Sequence, residues 1–202
     1  MKRAEWTKLG RSVLSSADGW SVSKGIFFQE PVSWVLFGTD SDSSAWDQGV
    51  YVLKLRVPLF VPFDALDLTW STRMAGGIRF DREDVQGISA AIREATLPQS
   101  QDDALNFWAY VSSYNPAGGE DQPELAAYAR ILLGDLDGAG TMLRALRSYL
   151  DSTQDWVVEM GVRGAKIEHL LEVGGIDAAT AQLAEWARYT AGNYGIPVNI
   201  RL

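Results

Sequence analysis

A change of hydrophobic period along the chain is the feature that most limits its fold. Apolar and polar side chains alternate from Val50 to Val57, as in an antiparallel strand of which one face is buried. Beyond about residue 98 the spacing becomes helical, with many Ala and Leu residues. A run of strands followed by a run of helices predicts an α+β fold. We expect a small antiparallel sheet with one or two helices, followed by an antiparallel helical hairpin bundle.

The same patterns predict two portions and their elements. Residues 1–97 form the α+β portion, with a helix over 4–16, strands at 25–28, 32–37, 50–57 and 66–70, and a helix capped within 81–84. Residues 98–202 form an all-helical portion, with helices over 103–114, 123–133, 136–150, 154–173 and 177–192. The connection between the portions is short, so we expect them to share a core.

The charge of the chain argues against nucleic acid as a partner. The 202 residues include 18 basic and 26 acidic side chains, a formal charge of −8, which repels a phosphate backbone. The charge is uneven: residues 1–100 carry 11 basic and 12 acidic side chains, whereas residues 101–202 carry 7 and 14. Nine of these fourteen acids lie at or just before predicted helix starts, where the helix dipole favours negative charge. They are Asp102, Asp103, Glu120, Asp121, Glu124, Asp135, Asp137, Asp155 and Asp177.

The residues needed for most catalytic and metal sites are missing from the sequence. It has no Cys, a single His at position 169, and no glycine-rich phosphate loop or nucleophile elbow. A calcium loop starting at Asp40 fails, because its sixth and twelfth positions are Ala45 and Tyr51. His169 falls off the apolar stripe of its predicted helix, so we expect it at the surface. We assign no catalytic residue, metal or cofactor, and favour a non-catalytic role.

Three arginines flank the Gly76-Gly77 turn and form a candidate anion site. Arg73, Arg79 and Arg82 could converge on an anion together with exposed backbone N–H groups. The alternative is ordinary surface pairing with the acids at positions 81, 83 and 84.

A tryptophan in a polar loop forms a candidate protein interface. Trp46 lies near Asp40, Asp42 and Asp47, and an exposed Trp with a polar rim is a common interface anchor. The alternative is local packing of the Trp46 ring. Trp34 and Trp70, within strand patterns, are expected in the core.

The membrane and the secretory pathway are not indicated. The most apolar stretch, residues 49–63, is interrupted by Lys54 and Arg56, whereas a transmembrane helix needs about 18 apolar residues. The N-terminal residues are basic but lack the apolar core of a signal peptide. We therefore expect a cytoplasmic protein.

Residues 123–150 resemble a tetratricopeptide-type helical hairpin. The matching features are the Gly134-Asp135 turn, Ala139 and Leu143 on the second helix, and Tyr128 on the first. The family's usual Trp and closing Pro are absent, and no 34-residue repeat recurs. The resemblance implies helix stacking, with peptide or protein binding as its common use.

Residues 4–72 are similar in the order of their elements to an uncharacterised bacterial domain-of-unknown-function family. The similarity rests on Gly19-Trp20 after a short helix, the strand at 25–28, the Asp-rich loop within 34–47 and the strand at 51–57. It implies a fold and no activity.

These observations lead to a protein-binding hypothesis. We expect a non-catalytic cytosolic module that binds another protein, one form of which is an acidic, immunity-type neutraliser of a basic toxin. The alternatives are a small-molecule or anion-binding protein that uses the three arginines, and a hydrolase with paired carboxylates. Whether the protein forms homo-oligomers is left open.

Overall fold

A computed structural model of the chain describes residues 1–42, 49–64, 71–96 and 122–200. The chain forms two compact units. Unit 1 comprises Met1–Pro58, Phe63–Gln99 and Ala191–Asn199, and unit 2 comprises Leu59–Pro62, Ser100–Thr190 and Ile200–Leu202. Unit 1 therefore combines most of the predicted α+β portion with a short segment from near the end of the chain.

Unit 1 contains an antiparallel sheet and two helices, which confirms the predicted α+β class. The helices are α1 (Arg3–Val13) and α2 (Val85–Ala95), and the strands are β1 (Trp20–Ser23), β2 (Ile26–Gln29), β3 (Val35–Asp42), β4 (Gly49–Pro58), β5 (Ser71–Arg73) and β6 (Phe80–Asp81). Among the described strands the order is β1-β2-β3-β4-β5, and β6 also pairs with β4. The order makes β1 an edge strand. Short 3₁₀ turns occupy Ser16–Asp18 and Ala75–Gly77.

The core of unit 1 lies where the two helices cover the sheet. Its buried members come from α1, β2, β4, the turn after β5, and α2: Trp6, Phe27, Val52, Met74, Ile88, Ala91, Ile92 and Ala95. The α2 members recur at helical spacing, as the sequence predicts. The α2 helix begins at Asp84, whose Oδ1 accepts a hydrogen bond of 2.8 Å from the backbone N–H of Gly87.

Three predicted elements of unit 1 differ from the structure in extent or burial. α1 ends at Val13 rather than residue 16, because Leu14 is extended. The strand predicted from residue 32 starts at Val35, and Trp34 is only half-buried. The β4 face that carries Lys54 and Arg56 also carries buried Val52, since helices cover it. The predicted strand at 66–70, including Trp70, lies outside the described residues.

The described part of unit 2 is helical, which confirms the predicted C-terminal helical region. It contains α3 (Gln122–Leu132), α4 (Leu136–Leu146), a 3₁₀ turn (Arg147–Asp151) and α5 (Asp155–Asn193), of which the last three residues belong to unit 1. Gly134 (φ 78°) ends the turn between α3 and α4, and Asp135 caps α4 by accepting from the Gly138 N–H. The predicted helix over 103–114 lies outside the described residues.

Helix α5 is interrupted at Gly175, between the helices predicted over 154–173 and 177–192, and packs closely against the end of α4. Gly175 has φ 68° and ψ −164°, so the backbone breaks there. Gly161 and Gly164 lie against Leu146 and Leu150, where a Cβ atom would come within about 3 Å of backbone or side-chain atoms. His169 is exposed on α5, as its position off the apolar stripe predicts. Among the described helices, none is long and apolar enough to cross a membrane.

Candidate functional site

The outer edge of β1 is the first component of the candidate site. β1 and β2 are joined by Lys24-Gly25, both at positive φ (48° and 83°), which is the geometry of a two-residue hairpin turn. In such a hairpin Ser23, which flanks the turn, exchanges backbone hydrogen bonds with β2, and so does Ser21, two positions before it. The backbone N–H and C=O groups of Val22, which lies between these two serines, and of Trp20, which precedes them, therefore point away from the sheet.

The outward backbone groups of β1 are only partly satisfied. The N–H of Trp20 donates to the carbonyl oxygen of Ser15 at 3.4 Å. The outward N–H and C=O of Val22 have no hydrogen-bond partner among residues 1–42, 49–64, 71–96 and 122–200. An unpaired strand edge of this kind is able to pair with a further strand.

Helix α1 is held beside this edge by close packing. The absence of a side chain at Gly10 lets the Phe27 ring approach the helix, since a Cβ there would lie 2.2 Å from the ring. The Trp6 ring meets Phe27 edge-on with centroids 6.1 Å apart, and its Nε1–H donates to the Gly25 carbonyl at 2.8 Å. Helix α1 and the β1–β2 hairpin are therefore fixed relative to each other.

A groove of about 540 Å³ runs between α1 and β1. Residues 11–16 form one wall, residues 20–22 form the other, and Phe27 also lines it. The lining combines the apolar side chains of Trp20 and Val22 with several serines and the cation Arg11. We call this space, together with the outer edge of β1, the α1–β1 groove.

A second groove of about 480 Å³ adjoins the first, because Ser12 lines both. Its apolar lining comes from Met1, Leu9 and Val85. Lys8, Arg82, Glu5 and Glu83 provide its charged groups. We call it the α1–α2 groove, since it lies between α1 and the start of α2.

Three cations of these grooves are uncommitted. Lys8, Arg11 and Arg82 are exposed, and none of them has an ion-pair or hydrogen-bond partner in the part of the chain that the structure describes. Arg3, by contrast, forms a bidentate ion pair with Asp40, so unit 1 contains both structural and unengaged cations. Cations of the unengaged kind can bind an anionic ligand.

The three arginines of the predicted anion site occupy different surroundings. Arg73 pairs with Asp42 at 3.3 Å, and its guanidinium lies 4.1 Å from the centre of the Tyr51 ring. Arg79 packs its aliphatic part over Gly49. Arg82 lines the α1–α2 groove, which neither of the others lines.

Asp40 and Asp42 of the predicted interface differ in burial and in their ion-pair partners. Asp40 is 5% exposed, binds Arg3 through both carboxylate oxygens and accepts the Ser41 N–H at 2.6 Å. Its burial raises the pKa of the Asp40 carboxyl above 3.8, against the opposing effect of Arg3. Asp42 pairs with Arg73. Trp46 and Asp47 lie outside the described residues, so the interface stays a prediction.

Sequence reasoning missed the contribution of α1 to the site. Lys8 and Arg11 are three residues apart on α1 and line adjoining grooves. The sequence places both cations on the side of α1 away from its buried positions, Trp6 and Gly10, where charged residues are ordinarily only solvated. The identity of β1 as the edge strand depends on strand order, which the sequence pattern leaves open.

Neither a metal-binding cluster among the described residues nor a match to another protein adds to this geometry. Within the described residues, no group of three or more His, Cys, Asp or Glu side chains could hold a metal ion. Comparisons with models of protein families, with curated proteins and with solved structures found no match.

Proposed function

We propose that the protein is a non-catalytic binding module that takes up an extended peptide segment of another protein in the α1–β1 groove. The observation that carries the proposal is the outward backbone of Val22, which has no partner among the described residues, beside a groove of about 540 Å³. The bound segment adds a strand to the sheet at β1. We further propose that it acts in the cytosol, a placement compatible with a sequence that has no Cys.

Strand addition would use both the edge of β1 and the groove that lies beside it. Main-chain hydrogen bonds to the edge supply affinity for any extended backbone, and alternate side chains of the added strand point into the neighbouring groove. Here the Trp20 and Val22 side chains offer apolar contact, and Arg11 and the serines offer polar contact. The groove volume lies within the usual range of about 300–1,000 Å³ for binding sites.

The test is a selection of peptides followed by a backbone substitution at the edge. A displayed library of random twelve-residue peptides is selected on the whole protein, and the affinity of a selected peptide is measured by calorimetry. The Val22→Pro variant removes the outward N–H and places a ring on the edge, while the bonds of Ser21 and Ser23 to β2 remain. We expect the variant to weaken binding at least about tenfold, because strand addition depends on that edge.

The Val22→Ile variant is the matched control, because it keeps the N–H and an apolar, β-branched side chain. It should bind the selected peptide within about threefold of the original protein. Selection of no peptide, or equal binding by Val22→Pro, would overturn the proposal. A concentration-dependent dimer abolished by Val22→Pro would assign the edge to a second copy of the chain instead.

A further inference from the structure

We propose that the extended segment bound in the α1–β1 groove is acidic, with carboxylate side chains that pair with Arg11 and continue towards Lys8 and Arg82. This inference rests on the peptide-binding function proposed above and names the chemistry of the partner. Arg11 lines the groove beside β1, and the other two cations line the adjoining α1–α2 groove.

The position of the cations along α1 supports a single continuous binding track. Lys8 and Arg11 are three residues apart, a spacing at which helical side chains are neighbours with about 5–6 Å between their Cβ atoms. Ser12, next in sequence to Arg11, lines both grooves. A segment that leaves the edge of β1 along α1 therefore passes Arg11 and Lys8, and Arg82 lies in the groove that it enters.

The electrostatic argument is that the cations of the grooves form no ion pair within the described part of the chain. Three cations line the two grooves, and none has an ion-pair partner among the described residues. The acids of the lining are Glu5 and Glu83, and Glu5 already accepts a hydrogen bond of 2.8 Å from the backbone N–H of Lys2. An unpaired Arg or Lys beside an extended backbone favours carboxylates, through charge-assisted hydrogen bonds.

The apolar lining defines the rest of the ligand. Met1, Leu9 and Val85 line the α1–α2 groove, and Trp20 and Val22 line the α1–β1 groove. Side chains of an extended segment alternate in direction, so every second residue points into the grooves, where acidic side chains reach the cations and their methylene groups contact this lining.

Two capped hexapeptides test the inference directly. One alternates glutamate with valine, and the other is its isostere with glutamine in place of glutamate. At about 50 mM salt we expect the whole protein to bind the glutamate peptide at least about tenfold more tightly than the glutamine peptide, as measured by fluorescence anisotropy. Raising the salt to about 500 mM should shrink the ratio, since the pairs are exposed.

Charge-matched variants assign the preference to the grooves. Arg11→Gln and Arg82→Gln should each reduce the ratio between the peptides at least about threefold. Arg188→Gln makes the same change at an exposed position of α5 and should leave the ratio unchanged. All three substitutions are at exposed side chains, and equal melting temperatures would show that the variants fold.

The outcomes separate this inference from the function on which it rests. Equal binding of both peptides by the original protein, with loss in Val22→Pro, would overturn the acidic preference and leave peptide binding standing. A preference that survives Arg11→Gln and Arg82→Gln would overturn the assignment to these cations. Binding of neither hexapeptide, together with an empty library selection, would overturn both proposals.

Discussion

At the scale of single residues, the buried ion pair of unit 2 shows how a charge is retained inside a helical core. Glu124, 2% exposed, accepts hydrogen bonds of 2.6 and 2.8 Å from Arg163 and one of 3.0 Å from the Tyr128 hydroxyl. Burial, with Glu124 beside it, raises the pKa of Tyr128 well above 10.0, so its hydroxyl stays protonated and donates. Both carboxylate oxygens are thus satisfied.

Removal of the Glu124 charge should destabilise the protein strongly. Glu124→Gln leaves Arg163, 21% exposed, without its main counterion, and we expect the free energy of unfolding to fall by about 3 kcal/mol. Glu159→Gln is the control: Glu159 is 72% exposed and 3.9 Å from the same arginine, so its loss should change stability by less than about 0.5 kcal/mol. Urea denaturation measures both, and equal effects of the two variants would contradict the assignment.

Asp40 should make stability depend on pH in the direction opposite to an ordinary salt-bridged acid. Burial raises its pKa in the folded state above 3.8, so the folded protein holds this proton where the unfolded chain has lost it. The contribution of Asp40 to the free energy of unfolding is therefore largest below pH 3.8 and is lost as the pH rises through the folded pKa.

The Asp40→Asn variant isolates this effect. The stability of the original protein relative to the variant should be greater at about pH 4 than at about pH 7, as measured by urea denaturation at both values. A relative stability that instead grows with pH would show that pairing with Arg3 outweighs burial.

At the scale of elements, Gly175 sets the break in α5. Its φ of 68° and ψ of −164° belong to a region that is open essentially only to glycine, and among the described residues no group lies within 4 Å of the position that a Cβ would take. Strain alone therefore decides the effect of Gly175→Ala, which should lower the free energy of unfolding by about 1–3 kcal/mol.

Gly140 provides the opposite case in a regular helix. It lies inside α4, where, of the groups in the described part of the chain, an added Cβ meets only the end of the Arg144 side chain, at 3.5 Å. Gly140→Ala should therefore stabilise the protein by about 0.5–1 kcal/mol. Denaturation followed by far-ultraviolet circular dichroism measures both glycine variants, and a stabilising Gly175→Ala would indicate that the helix prefers to run straight.

The helices of the described residues and the strands β2, β3 and β4 could be predicted from sequence because their signals are local, whereas β1, β5, β6 and the site could not. Asp84, Asp135 and Gly175 mark starts and breaks by their own backbone preferences. The relation of Arg73 to Arg79, in contrast, depends on where β5 and β6 pair along β4, with Arg73 opposite Leu53 and Asp81 opposite Gly49. Closeness in sequence carried no information on that pairing.

Prediction of the α1–β1 groove would likewise have required knowledge of how distant strands pair. No strand is predicted at residues 20–23, and only the order of the sheet shows that the outer side of β1 has no partner among the described strands. The same limit applies to Asp40, for which the sequence predicts a polar loop: its position in β3 and its pairing with Arg3, 37 positions earlier, both depend on the fold.

At the scale of the whole molecule, the acidity of the second half is divided between different roles. Asp135 caps α4, as predicted for the acids near helix starts, whereas Glu124 neutralises Arg163 in the interior. The acids at 102, 103, 120 and 121 lie outside the described residues. Part of the net charge of −7 on residues 101–202 therefore has a structural role. This weakens the hypothesis that the acidity serves to bind a basic partner.

The return of the chain to unit 1 near its end is the remaining feature of the whole molecule. Ser23 donates to the Tyr194 carbonyl at 2.6 Å, and the Asn199 N–H donates to the Val32 carbonyl at 2.8 Å. Ile196, 4% exposed, lies between them in sequence and is buried. The segment thus ties the region around the β1–β2 hairpin to a part of the chain about 170 residues away.

Ile196→Ala should therefore weaken the hairpin that forms the binding edge. The lost burial is expected to lower the free energy of unfolding by about 2–4 kcal/mol, whereas Pro197→Ala, at an exposed neighbour, should change it by less than about 1 kcal/mol. Hydrogen exchange followed by mass spectrometry should show faster exchange in peptides covering Trp20–Gln29 for Ile196→Ala alone. If exchange there were unchanged while stability fell, the segment would support the core without controlling the edge.

Affinity for a selected peptide should fall together with hairpin protection, because strand addition requires an ordered edge.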